Sequence, residues 1–370
     1  MIWVDQTLQE GLARGLNRED LNRILSGLQE LSVGISDVII TDWEQKGFSE
    51  LTRFEKERMR GITNGTVEEV ELANALGFKS IIISCAPHLG QGLISQVCAA
   101  LFAAQKMGMK VSLCIENASQ FSLEEIGFLW RDIPIDGIET FIYSDRDSLL
   151  DPLSTARIMA FLRKKIPVTL EFHGHNAYGL ASANGLAALQ AGVKDIAVAV
   201  AGIGLHGHAA IEELIMARKS LLGEGSGVNS QLAQLCSQMI SLIGLNVPSS
   251  KSIIGRDIFA HESGIHVDGV VKNPQLYEAF SPEEVGLERR LVIGKHSGTS
   301  SIQAKFRQWN QILPVADAQI LLKQVRELAV AEKKEVDDNA LWEMYQAMIY
   351  KRSKKFSTLE VKHQRFVAGV

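Results

Sequence analysis

Two histidines separated by one residue, His173 and His175, stand at the end of the apolar run Ile166-Pro-Val-Thr-Leu-Glu-Phe172. Such a run reads as a buried strand, and side chains two apart on a strand face the same side. Two neutral imidazoles aimed at one spot suit a divalent metal ion. A pair that only hydrogen-bonds loop carbonyls is the plainer reading of H-x-H alone. Other polar groups also follow apolar runs: Asp5, Gln9 and Glu10, then Asp42 and Glu44, Glu116 and Asn117, Asp145 to Asp147, and His206 with His208. So many carboxylates and imidazoles in equivalent places favour one functional rim over scattered loop polarity.

The elements that must hold them alternate. Strand-like runs start at Ile2, Asp37, Ser80, Lys110, Ile138, Val168 and Asp195, with a weaker one at Arg58–Ile62. Amphipathic helical stretches lie between, and several end on glycine (Gly77, Gly108, Gly192) as helix C-termini do. Eight such alternations predict an α/β fold, a closed (β/α)8 TIM barrel over residues 1–222, with functional groups at the strands' C-terminal ends. An open doubly wound sheet is the alternative; no G-x-G-x-x-G follows the first strand. Beyond a glycine-rich link at Gly223–Gly227 the alternation stops. Residues 223–370 are expected to form mainly helical C-terminal subdomains with a basic, fraying tail from Lys351 to Lys355.

Composition narrows the class. With 370 residues, 46% hydrophobic and 22% charged, the chain is an ordinary globular protein. A net charge of −5 offers no basic stripe, so nucleic acid is not an expected partner. No apolar run reaches the ~20 residues of a membrane span. The N-terminus reads as a strand rather than a signal peptide, and a cytoplasmic protein is expected. Cys85, Cys98, Cys114 and Cys236 show no metal spacing, and Cys85 and Cys114 read as core residues. His88 reads as a solvent-facing loop residue; His296 reads as a brace of its loop or a contact for a coenzyme A phosphate.

Four segments carry a family likeness: Asp5-Gln-Thr-Leu-Gln-Glu-Gly11; Glu171-Phe-His-Gly-His-Asn-Ala-Tyr-Gly179; Phe259-Ala-His-Glu-Ser-Gly-Ile-His-Val-Asp-Gly269; and Tyr277–Gly286 followed by Ile293-Gly-Lys-His-Ser-Gly298. Over roughly residues 1–350 the chain resembles the homocitrate, isopropylmalate and citramalate synthases, most of all the nitrogen-fixation-type homocitrate synthases. The resemblance implies a Claisen-type condensation of acetyl-CoA with a 2-oxo acid, 2-oxoglutarate giving homocitrate being the expected case. It implies a divalent cation (magnesium, manganese or zinc) held by Glu10 or Asp5 with His173 and His175. It also implies relay residues His261 and Tyr277 reaching into a partner subunit's barrel, and so a dimer. Asp5, Asn176, Glu116 and Asp145 are the expected substrate contacts.

The sequence departs from the family pattern at the rim. The arginine of the first motif is Gln9; its later glutamine is Ala13; the aspartate after H-x-H-N is Ala177; a threonine near the sixth strand is Arg146. The loop after the eighth strand is Ala201-Gly-Ile-Gly-Leu-His-Gly-His208, one residue short, and without the family's asparagine ligand. Arg146 is the candidate for the charge lost at Gln9, and His208 the candidate fourth ligand, a set that would favour zinc. Three readings stay open: a working enzyme with a remodelled pocket; a paralogue of weak or no activity that lends His261 and Tyr277 to an active synthase in a heterodimer; or a non-catalytic protein that binds metal or acyl-CoA.

Overall fold

Each apolar run singled out in the sequence forms a strand: β1 (Ile2–Asp5), β2 (Val33–Ile39), β3 (Met59–Thr63), β4 (Ser80–Cys85), β5 (Lys110–Ile115), β6 (Ile138–Asp145), β7 (Thr169–Gly174) and β8 (Asp195–Ala199). The computed structural model describes residues 2–85, 91–134, 136–224, 227–263, 266, 269–270 and 272–367; at 91–93, 128, 132 and 355–367 it describes the backbone alone. His88, Gly225 and Ser226 of the link, and residues 264, 265, 267 and 268 of the third motif lie outside these.

The strands pair in parallel in chain order, and β1 pairs with β8 through Ile2 opposite Asp195 and Asp5 opposite Val198. The sheet therefore closes into an eight-stranded barrel. A short strand β9 (Ala209–Ala210) adds to β8. Helices cover the outside because their apolar stripes face the strands. Leu21, Ile24, Leu25 and Leu28 of helix Arg18–Glu30, for example, are all buried. Local signals match these boundaries: Asn17 caps that helix by accepting from Asp20 N–H, and Asp151 with Pro152 starts helix Pro152–Lys165. Gly77 and Gly192, both at φ 88°, end theirs in the left-handed region that a side chain resists.

The chain forms two compact units, Met1–Gly255 and Arg256–Val370. The first includes helix Leu232–Leu242, which packs on helix Arg18–Glu30. In the second, β10 (Ala260–His261) pairs with β11 (Arg290–Leu291). Its core is built by Ile302, Phe306, Leu321, Val325 and Leu341 from helices Thr299–Gln308, Val315–Glu332 and Asp338–Val367. The last two of these helices are divided at Lys333 (φ 53°). The tail read as fraying continues the last helix through Val367, a run with no glycine or proline to break it. Among the described residues no helix is long and apolar enough to cross a membrane.

Candidate functional site

Three imidazoles meet at the C-terminal rim of the barrel. His173 lies on β7 and His175 just beyond it, with rings 5.0 Å apart and nearly parallel. The shortened loop after β8 brings in His208, whose ring lies 4.6 Å from that of His175 and 5.3 Å from that of His173. One nitrogen from each lies within 4.8 Å of the others. The backbone orients two of the rings: His208 Nδ1 lies 2.8 Å from the Ile203 carbonyl and His175 Nδ1 3.2 Å from that of Leu205. That leaves their Nε2 atoms for another partner. His173 Nε2 is buried and has no hydrogen-bond partner among the described residues. Burial holds the His173 imidazole well below its usual range, lowers His175, and brings His208 down to about 4. All three are therefore neutral near pH 7, the state in which imidazole binds a metal. The set fits a divalent cation.

The loop geometry that allows this rests on glycine. A Cβ on Gly204 (φ 122°) would stand 2.5 Å from His208 Cε1 and Nδ1. An adjoining antiparallel bridge pairs His175 with His208, tying the loop to the end of β7.

A cavity of about 440 Å³ opens beside the histidines, lined by Gln9, Glu10, Glu116 and Arg146 among others. Gln9 donates to Asp42 Oδ2 at 2.6 Å and accepts from Ile39 N–H at 2.7 Å. Glu10 lines the cavity but pairs with Arg14 at 2.6 Å and stands outside the three-histidine group. Arg146 pairs with Glu116 at 3.1 Å. Other residues singled out in the sequence serve the backbone. Asp5 accepts from Thr7 and Leu8 N–H, and burial pushes its carboxyl up to about 6. Asp145 accepts from Leu149 and Leu150 N–H, and Asn176 Oδ1 from Ala181 N–H. None of these three lines the cavity.

One cluster escaped the sequence reading. Arg60 on β3 is buried and bonds both oxygens of Asp37 on β2 (2.7 and 2.9 Å) and both of Glu171 on β7 (2.9 and 3.0 Å), with Ser112 at 3.1 Å. Gln6 adds a bond to Asp37 at 2.8 Å. Glu171 shares the inward face of His173 and His175, two and four residues before them. The available signal was an arginine inside a strand, which must find buried partners.

In the second unit His261 Nε2 is buried with no hydrogen-bond partner among the described residues and lies 3.8 Å from Glu278 Oε1. The ring of Tyr277 lies 4.7 Å from that of His266.

The chain is similar to known proteins over most of its length. The family described as HMGL-like matches residues 90–239, and that described as homocitrate synthase post-HMGL domain-like matches residues 253–333. A 2-isopropylmalate synthase of Caldanaerobacter subterraneus is 37% identical over 267 residues, 72% of this chain and 70% of its own. A homocitrate synthase of Nostoc is 38% identical over 216 residues, 58% of this chain and 57% of its own. The hydroxymethylglutaryl-CoA lyase of Pseudomonas aeruginosa shares the fold at 16% identity, with a TM-score of 0.52 over 65% of this chain and 90% of that one. On a likeness of this extent to an isopropylmalate synthase, the chain belongs to the homocitrate and isopropylmalate synthase family.

Proposed function

We propose that the chain condenses acetyl-CoA with a 2-oxo acid at the barrel rim, using a divalent cation held by His173, His175 and His208. The observation that carries this is the group of three neutral imidazoles opening on a cavity, in a chain of this family. An all-nitrogen set favours zinc over magnesium. When bound, such a cation supplies Lewis acidity to the substrate ketone.

The chain's own groups do the rest. A base takes a proton from the acetyl methyl group, and the carbanion forms the new carbon–carbon bond with the ketone carbon. Water then cleaves the thioester, releasing coenzyme A. We assign the relay of these protons to His261 and Tyr277, in the barrel of a second copy, with the buried Nε2 of His261 as the acceptor. Arg146 is the one arginine or lysine among the described residues of the cavity lining, and Gln9 contributes an oriented but neutral amide. Asp5, Asp145 and Asn176 act by holding the rim loops rather than by touching substrate.

The purified chain is assayed for free thiol with acetyl-CoA, zinc, manganese or magnesium, and several 2-oxo acids. Thiol release that depends on both metal and oxo acid is expected. Tight metal binding with no release for any combination overturns the proposal. A second reading draws on Gln9 beside intact His261 and Tyr277: the chain would complete a homologue that keeps the arginine. Mixing the two should then change mass and activity, and unchanged values for both remove that reading.

A further inference from the structure

We propose that this cavity accepts a 2-oxo acid with a short apolar side chain and discriminates against one that ends in a second carboxylate. The inference rests on the condensation reading above and runs against the 2-oxoglutarate implied by the family likeness. Five consecutive strands contribute an apolar wall: Ile39, Ile62, Ile82, Cys114 and Ile142 all line the cavity. The register sets Ile39 opposite Ile62, Ile62 opposite Ile82, and Cys114 opposite Ile142, and Ile82, Cys114, Ile142 and Ile62 pack as one apolar cluster across the break between β4 and β5. Ile142 lies opposite Glu171, one strand-step deeper than the pair formed by Ser144 and His173. The carboxylate and ketone oxygens of a 2-oxo acid belong at the histidine end, so its side chain extends along isoleucine.

Charge points the same way. Glu10, Asp37, Asp42 and Glu116 line the cavity, and Arg146 is the one arginine or lysine among its described lining residues. Arg146 is already paired with Glu116, and Arg60, below, is taken up by Asp37 and Glu171. The Gln9 amide is likewise engaged at both ends. A second carboxylate would lose its water against isoleucine side chains, and among the described lining residues no cation is without a carboxylate partner, which is a cost without compensation. Uncompensated charge of this kind is how a site rejects a competitor.

The zinc-loaded full chain is titrated by calorimetry with 2-oxoisovalerate and with 2-oxoglutarate, and thiol release from acetyl-CoA is followed with each. The branched apolar acid is expected to bind at least tenfold more tightly and to give the higher kcat/KM. Equal or tighter binding of 2-oxoglutarate overturns the proposal, whether or not thiol is released. Preference for the apolar acid without thiol release upholds the selectivity and sinks the condensation reading. Binding of neither acid overturns both.

Discussion

Gln9 holds its place through two hydrogen bonds, one to Asp42 and one from Ile39 N–H, and brings no charge to the rim. Where a fixed donor stabilises a developing oxyanion, its loss costs about 10²–10³ in rate. The Gln9→Arg variant should therefore raise kcat for thiol release by about tenfold or more; an unchanged or lower kcat shows that charge at this position does not limit the reaction. Gly204 is a second single-residue test. The Gly204→Ala methyl meets the His208 ring at 2.5 Å and strains a backbone at φ 122°, so the ring must turn away. Zinc affinity, measured against a competing chelator, should fall about 10–100-fold, as it does when the groups orienting a ligand are disturbed; an unchanged Kd removes His208 from the metal set. The histidine pair of β7 was legible because strand periodicity dictates a shared face. His208 was legible as the imidazole following the eighth strand. The role of Gly204 was not, because it arises from how a shortened loop folds back on a ring.

Strands β2, β3 and β7 are tied across the barrel by Arg60, whose partners lie 23 and 111 residues away. Removing the guanidinium would leave Asp37 and Glu171 buried with no countercharge. Arg60→Met should cost about 3–5 kcal/mol in urea unfolding, the usual result of breaking a buried ion pair from one side. A loss below ~1 kcal/mol would mean that water or rearrangement replaces the network. The same residue explains why β3 was the weakest strand in the sequence: its pattern is interrupted by a charge that only distant partners make tolerable. The other strands were plain because each buries apolar residues against the helices outside. The duties of Asp5, Asp145 and Asn176 were harder to read, since rim carboxamides and carboxylates can equally hold a ligand or satisfy backbone N–H groups, and only the fold decides between them.

Across the barrel unit as a whole, stability should depend on pH through Glu212, at the start of helix Ile211–Leu222. Its side chain is buried, accepts from Ala201 N–H at 3.0 Å and lies 3.3 Å from Lys251 Nζ. Burial pushes its carboxyl from 4.5 up to about 7, more than Lys251 offsets. A carboxyl raised in this way adds stability that is complete below 4.5 and is lost as the pH rises through 7. The wild type should lose stability relative to Glu212→Gln between pH 5 and 8, read as a shrinking or reversing Tm difference; a constant difference across that interval would show that Glu212 does not titrate there. At this scale the closed barrel and a separate C-terminal unit could be read from eight alternations that stop, whereas the pairing of helix Leu232–Leu242 with the barrel's first long helix could not, because nothing local records a contact across two hundred residues. The pairing of β1 with β8 has a similar reach, since Ile2 N–H donates to the Asp195 carboxylate. Ribosomes add about 5–20 residues per second. Trp3 and Val4, buried once the barrel is complete, therefore wait about 10–40 s for their last neighbour to be synthesised. During that interval the nascent chain presents an open strand edge, the kind of surface that chaperones shield.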